Sequence, residues 1–334
     1  MKLTILIFLL ITSLFGADKL RVATYNVDNL FDLKKDGHEY KEYIPNTESR
    51  WNKRAYWVKR KNLTKVIKEI DADILALEEV ESLQALKDLR ATLKQDGLYY
   101  PYFKIADKKN TTVKVALLSK IPFVYTREIM VRYSYKYRNI LEAKFKIGHE
   151  ELYVFVNHWK SKSGSEKMRV VSAKALIKRI KDIGFDKNII ILGDFNSDYE
   201  EYKRFKRSRK HNDTNGYTGI NDVLKTKYQT SRAKNTRYEE GSFYNLWYDT
   251  DKKNRYSYIY KGKKEALDSI IISQSLLKKR GLSYVEGSIK NLSKKYLFKK
   301  KNIYRWQTTY GRVRKHKARG FSDHLPVMAD FVSL

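Results

Sequence analysis

Ile189, Ile190, Ile191 and Leu192 run without a break into Gly193, Asp194, Phe195, Asn196, Ser197 and Asp198. Such an apolar run is the pattern of a strand buried on both faces, which requires a sheet covered by other layers. Gly, Asp and Asn at its end are ordinary turn-formers. The carboxyl end of a buried strand is also where α/β folds place reactive groups. The remaining strands decide between these readings. Comparable runs occupy residues 20–25, 74–77, 113–118, 152–156, 267–272 and 326–331. The first ends at Asn26, the second leads to Glu79, and the run 152–156 leads to Asn157 and His158. Asp268 opens the run after Leu267, and Asp323 and His324 precede the last one. A single case would be a turn residue more often than not, but six such ends in one chain point to chemistry.

Helical periodicity lies between some of these strands. Residues 57–70 place Val58, Leu63, Val66, Ile67 and Ile70 near one face, and residues 165–183 do so with Met168, Val171, Ala175, Leu176 and Ile180. Strands outnumber helices and the two alternate irregularly. An α+β sandwich with helices outside two sheets is therefore expected, rather than a doubly wound parallel sheet. No repeat or Pro/Gly/Ser-rich linker divides the chain, so residues 18–334 are expected to form one domain. Residues 1–17 stand apart. Lys2 is followed by a short apolar run that ends in Gly16 and Ala17, the pattern of a secretory signal peptide rather than a membrane span. A secreted or periplasmic location follows, although bulky Phe15 or Leu14 before the cleavage point leaves an uncleaved anchor open. The absence of cysteine excludes a disulfide scaffold and attachment of a lipid through Cys.

Charge narrows the partners. Lys and Arg total 69 against 38 Asp and Glu, a formal net charge of +31. Such a field attracts polyanions, either nucleic acid or an anionic membrane surface, unless it serves only for solubility. Six of the eight residues in 203–210 are basic, as are five of the eight in 294–301 and five in 312–319. The last run holds Arg312, Arg314, Lys315 and Lys317 just before Asp323, where it could grip a polyanion backbone. Tyr296, Phe298, Tyr304 and Trp306 are interleaved with basic residues. Stacking on bases is one role for them, and filling the core is the better expectation.

The polar strand ends also carry a resemblance. "TYNVDNLFD", "LALEEVE", "FVNHWKSK", "LGDFNSD", "ALDSIIIS" and "SDHLPV" resemble, in this order, the motifs of the endonuclease/exonuclease/phosphatase superfamily, the deoxyribonuclease I-like proteins. Glu78 stands where the family usually has glutamine. The resemblance spans residues 25–327 and is closest to secreted bacterial nucleases. It implies a four-layer α/β/β/α sandwich of two packed mixed sheets flanked by helices. Residues 199–266 form a longer segment than compact members have there, a basic insertion that would be either a solvated loop or a binding element.

What the resemblance implies for the chemistry fits the residue types. Phosphodiester hydrolysis needs an activated water, an acid for the departing oxygen and positive charge on the phosphate. Glu79 and Asn26 would offer hard oxygens to Mg²⁺ or Mn²⁺, with Ca²⁺ a further candidate, and Asp323 would lie at the same metal site. Asp194 and Asn196 are assigned to the attacking water or a second ion. His324 would touch the scissile phosphate, held in its tautomer by Asp268. His158 would protonate the leaving oxygen or stabilise the phosphate, and Asp107 is a carboxylate partner for it by position only. Arg138 and Asn157 are expected phosphate contacts.

The function implied is a secreted or periplasmic divalent-metal-dependent nuclease with little sequence preference, acting on DNA with RNA as a secondary candidate, as a monomer without an obligate protein partner. Two alternatives stand beside it. A phospholipid or sphingomyelin phosphodiesterase of the same fold would favour a long exposed apolar hairpin, and none is evident in residues 199–320. A catalytically silent, basic nucleic-acid-binding protein would be free to lose Glu79, His158, Asp194 or His324, and all four are present.

Overall fold

The computed structural model describes residues 18–108, 111–205, 212–227 and 239–333. Residues 1–17, where a signal peptide is expected, and residues 206–210 of the first basic run lie outside the described residues. Strands β1 (Asp18–Leu30), β2 (Ile74–Val80), β3 (Tyr102–Ile105) and β4 (Lys114–Ser119) begin the first sheet. β5 (Tyr125–Ile129), β6 (Ile140–Ile147), β7 (Glu150–His158), β8 (Asn188–Asp194) and β9 (Phe243–Asn245) form most of the second. A hairpin of β10 (Tyr258–Tyr260) and β11 (Lys263–Glu265) precedes β12 (Asp268–Ser273), which returns to the second sheet. β13 (Leu282–Tyr284), β14 (Lys290–Asn291), the small hairpin β15 (Phe298–Lys299) and β16 (Asn302–Ile303), and β17 (Val327–Ser333) end the chain.

The first sheet has the order β13–β17–β1–β2–β4–β3, with β14 also on β17, and the second has β5–β6–β7–β8–β12–β9. β1 and β2 are parallel, as are β7 and β8, while their other neighbours are antiparallel. Both sheets are therefore mixed. Period-2 alternation sends Leu20 and Val22 of β1, Val154 and Val156 of β7, Ile190 and Leu192 of β8, and Val327 and Ala329 of β17 into one shared core between the sheets. The opposite face of the first sheet packs on helices α1 (Lys53–Ile70) and α2 (Leu83–Gln95). The opposite face of the second packs on α3 (Glu166–Ile183). Strands buried on both faces thus arise from a four-layer sandwich, which accounts for the unbroken run 189–192.

Local chemistry fixes the ends of these elements. Asn52 and Ser82 cap α1 and α2 by accepting from the amides of Ala55 and Ala85 at 3.1 and 3.0 Å. Two sequence expectations need correction. Helix α3 buries Arg169, Val170, Ala173, Leu176 and Ile180, so its inner face is rotated from the one containing Met168, Val171 and Ala175. The cause is an ion pair in that face: Arg169 donates to Glu166 at 2.7 Å, and both are buried. The described part of 199–266 is not a solvated loop. It buries Tyr202, Ile220, Phe243, Leu246 and Trp247 and supplies edge strand β9. Helix α2 and strands β3 and β5 escape sequence reading because polar residues break up their short apolar pattern. Strand β6, by contrast, alternates Leu141, Ala143, Phe145 and Ile147 with charged residues, a strand signal that the runs above do not include.

Candidate active site

The alternation that builds the inter-sheet core also builds a cleft at its end. Continuing the inward positions of each strand past the last apolar residue gives Asn26 on β1, His158 on β7, Asp194 on β8 and Asp268 on β12. Parallel pairing aligns the carboxyl ends of β7 and β8, with His158 opposite Asp194, and antiparallel pairing sets Asp268 opposite Asp194. Gly193 makes this register possible. It has φ +131°, and a Cβ there would lie 2.0 Å from the carbonyl oxygen of Asn157.

Glu79 reaches the cleft differently. Register shifts interrupt the ladders at Asn26/Leu30 and Glu78/Val80, and Glu79 adopts φ +66° with Asp28 at +52° and Asn29 at +65°. Regular alternation would aim Glu79 away from the sheet partner. The bulge turns it back, so that Asn26 Nδ2 donates to Glu79 Oε1 at 3.2 Å and to Asp194 Oδ2 at 3.0 Å. Glu78 occupies the inward position instead, fully buried and hydrogen-bonded by Thr24 at 2.7 Å.

The two histidines are in opposite electrostatic states. His324 Nδ1 lies 2.6 Å from Asp268 Oδ2. Burial opposes its charge, but Asp268, with Asp194 and Asp323 nearby, carries its pKa well above the usual imidazole range. Asp268 is fixed in turn by Ser257, whose hydroxyl donates to the same oxygen at 2.5 Å, and the ring of Tyr258 covers His324 at 4.8 Å. His158 is pushed well below the usual range by burial and by the cations Arg138, His324 and Lys160. Its Nε2 lies 3.6 Å from Asp194 Oδ2 and 3.9 Å from Glu79 Oε1. Its Nδ1 has no hydrogen-bond partner among the described residues. Asp107 does not orient it, being exposed and 3.5 Å from Lys114.

Negative charge accumulates on the first-sheet side. Burial and the neighbouring Asp323 and Asp28 push Glu79 up to about 7, and burial with Asp323 pushes Asp28 to about 6. Asp28 Oδ2 is buried without a hydrogen-bond partner among the described residues. Arg305, absent from the sequence reading, pairs with Asp323 at 3.1 Å and approaches Asp28 at 3.7 Å. Crowded hard oxygens and the orphaned oxygen of Asp28 suit a divalent cation, which Glu79, Asn26 and Asp323 could hold beside it. The ligand atoms of Asp194, Asp268 and His324 also lie within 4.8 Å of one another, but an imidazolium at His324 has no lone pair to give an ion.

Asn196 sits just past β8 at φ +48°, its amide N–H donating to Asp194 Oδ1 at 2.8 Å and its side chain to the Trp159 carbonyl at 3.2 Å. Arg138 stands at the rim and donates to the same carbonyl at 3.4 Å. Asn157 is a correction. It lies on the outward face of β7, fully buried, where its oxygen accepts from Trp159 Nε1 at 3.1 Å. It supports the strand end and does not face a phosphate.

The basic run before Asp323 folds into the cleft wall. His316, within that run, is a buried anchor: Trp306 Nε1 donates to its Nδ1 at 2.8 Å, and its Nε2 lies 2.8 Å from the Glu42 carbonyl. Arg312, Arg314 and Lys317 are exposed around it, and Lys315 is half-buried. A cavity of about 220 Å³ opens between this loop and Asp28, lined by Arg305, Gln307, Tyr310, Arg314 and Glu42. Tyr296, Phe298, Tyr304 and Trp306 all pack on the first sheet's outer core, so filling the core is their role.

Carboxylates, imidazoles and a cation-hungry pocket at the end of a two-sheet sandwich define a phosphoester hydrolase site. The sequence model of the Endonuclease/Exonuclease/phosphatase family matches residues 21–332, and the chain belongs to that family. No curated protein matches the sequence. Among solved structures, a D. rerio TDP2 humanised by 14 mutations is similar, with TM-score 0.58 and 15% identity over 94% of this chain and 98% of that one. An endonuclease/exonuclease/phosphatase family protein of Bacteroides thetaiotaomicron gives 0.57 and 16%, covering 96% and 100%. A mannosyl-6-phosphatase of the same organism gives 0.55 and 16%, covering 94% and 99%. These likenesses show the shared two-sheet fold.

Proposed function

We propose that this hydrolase is a divalent-metal-dependent nuclease that cleaves phosphodiester bonds of DNA, exported by its first seventeen residues. The observation that carries this reading is the union of a buried acid–imidazole cluster with a cleft wall of exposed cations. A free sugar phosphate needs one anion site, whereas Arg138, Arg305, Arg312, Arg314 and Lys317 line or flank the opening and match a chain of phosphates. A D. rerio TDP2 has been solved in complex with a single strand DNA product, which agrees with nucleic acid as a ligand of this fold.

In this proposal Glu79, Asn26 and Asp323 hold the cation, which when bound neutralises charge developing on the phosphate. Asp268 keeps His324 protonated, so His324 offers its Nε2–H to the phosphate, gives that proton to the departing oxygen as the P–O bond breaks, and is not the acceptor of the water's proton. That part falls to Asp194, placed by Asn26 and the Asn196 amide to orient the attacking water and take its proton. His158, held neutral, hydrogen-bonds the phosphate through Nε2. The full chain should nick plasmid DNA with Mg²⁺ and stop in excess EDTA. Parallel incubations with RNA, sphingomyelin and mannose 6-phosphate test the rivals; hydrolysis of one of those with intact plasmid overturns the proposal.

A further inference from the structure

The connection between β5 and β6 is held by hydrogen bonds at several points and reaches the cleft rim at its last cation, Arg138. Its root is anchored, since Ile129 and Val131 pack against the core under α3 and Asn139 donates to Glu128 at 3.2 Å. Its crest is tied by one ammonium. Lys108 Nζ donates to the carbonyls of Arg132, Ser134 and Tyr137 at 2.7, 2.6 and 2.8 Å. A loop held this way has few alternative conformations, but it buries little of what it carries. Tyr133 is 95% exposed and Tyr135 70%. Beside them stand Arg132, Lys136 and Arg138, and Arg138 reaches the carbonyl of Trp159, the residue after His158. Lys160 lies near enough to feel both Lys136 and Arg138.

Two rings presented on a fixed backbone and flanked by cations match a polyanion that also offers flat aromatic faces. Nucleobases have such faces only when unpaired, because in a duplex both faces are covered by neighbouring bases. The aromatics of the basic run 294–306 pack on the core, so stacking has no donor there.

We infer that Tyr133 and Tyr135 form a base-stacking platform, positioned by Lys108, that favours an unpaired nucleic-acid strand over duplex at the cleft. This rests on the nuclease reading and names the form of its substrate. Base–aromatic stacking is worth about tenfold in affinity per ring.

The test compares kcat/KM of the full chain with Mg²⁺ on a short single-stranded oligonucleotide and on the duplex of the same sequence. The wild type should favour the single strand by about tenfold or more. Tyr133→Ala/Tyr135→Ala should erase most of that ratio through KM, and Tyr133→Phe/Tyr135→Phe should keep it. Lys108→Met should lower the ratio in the wild type and cost nothing further in the double-alanine variant, an outcome a merely structural lysine would not give. Equal cleavage of both substrates, or an alanine variant with the wild-type ratio, overturns this inference while leaving the nuclease reading intact. A wild type that cuts neither substrate overturns both. Binding to phosphatidylglycerol vesicles that is lost in the alanine variant, with the oligonucleotide ratio unchanged, assigns the rings to a membrane and overturns it too.

Discussion

The tips of the two sheets face one another across the cleft and are built by different means. The second sheet uses regular alternation: His158, Asp194 and Asp268 are simply the next inward residues beyond Val156, Leu192 and Ile270. Each meets a partner already in register, and the result is the set of groups to which the proposed reaction gives the proton transfers. The first sheet breaks its alternation. Glu79, Asp28 and Asn29 take left-handed backbone conformations at paired bulges, which gathers carboxylates that no regular strand could bring together. Left-handed residues without glycine cost about 1–2 kcal/mol each. The first tip therefore gives up stability to concentrate charge, and a bound cation would offset that strain.

If the tips divide the work in this way, their variants should fail differently. The largest effects are on turnover. Glu79→Gln and His324→Ala should each lower the plasmid cleavage rate by roughly a hundred- to ten-thousand-fold. Only Glu79→Gln should also weaken Mg²⁺ binding, measured by calorimetry on the apo protein. Equal weakening of ion binding in both variants would erase the distinction. Asp194→Asn combined with His324→Ala should be little slower than either alone, because the groups serve one step.

Next comes Gly193→Ala, aimed at the second tip alone. Its Cβ would collide with the Asn157 carbonyl, and its positive φ adds strain, so a loss of about 2–5 kcal/mol is expected from denaturant unfolding. An unchanged midpoint would mean that β7 and β8 are not held in this register.

A smaller effect concerns the wall beside the first tip. Burial holds His316 at about 4, below its unfolded value near 6.5, so the folded state favours the neutral ring. Protonating Nδ1 would also displace the Trp306 N–H. The stabilisation is present above pH 6.5 and is lost progressively as pH falls toward 4, by about 2 kcal/mol at pH 5. Wild type and His316→Gln should therefore converge in stability between pH 7 and pH 5, followed by urea unfolding with tryptophan fluorescence. Parallel pH profiles would show that His316 is not the titrating latch.

The smallest effect separates both tips from the wall. Replacing Arg312, Arg314, Lys315 and Lys317 together by Gln should weaken DNA binding about tenfold near physiological salt. It should also flatten the plot of log affinity against log salt, by roughly 0.9 for each phosphate no longer neutralised. Wild-type binding at every ionic strength would make the run a solvated surface.

Much of this was legible in the sequence where the physics is local. An apolar run ending in Gly-Asp-Phe-Asn declares a buried strand and the polar group at its tip, because alternation and burial are properties of neighbouring residues. The polar residues at six strand ends followed from that rule, and the two-sheet sandwich from the mixture of strands and helices with the family resemblance. Which way Asp194 and Asp268 face did not, because the run 189–192 is apolar at every position. What remained hidden depends on partners far away in the chain. Asn157 and His158 are adjacent and equally polar, and only the pairing of β7 with β8 and the packing of Trp159 turn one outward and the other into the cleft. Arg305 and Lys108 look like any other arginine or lysine in so basic a chain. Their roles exist only where folding brings Asp28, Asp323 or three loop carbonyls within reach. The sequence determined which residues could carry chemistry; the tertiary structure decided which of them meet, because electrostatic and hydrogen-bonding partnerships act over a few ångströms that chain separation does not predict.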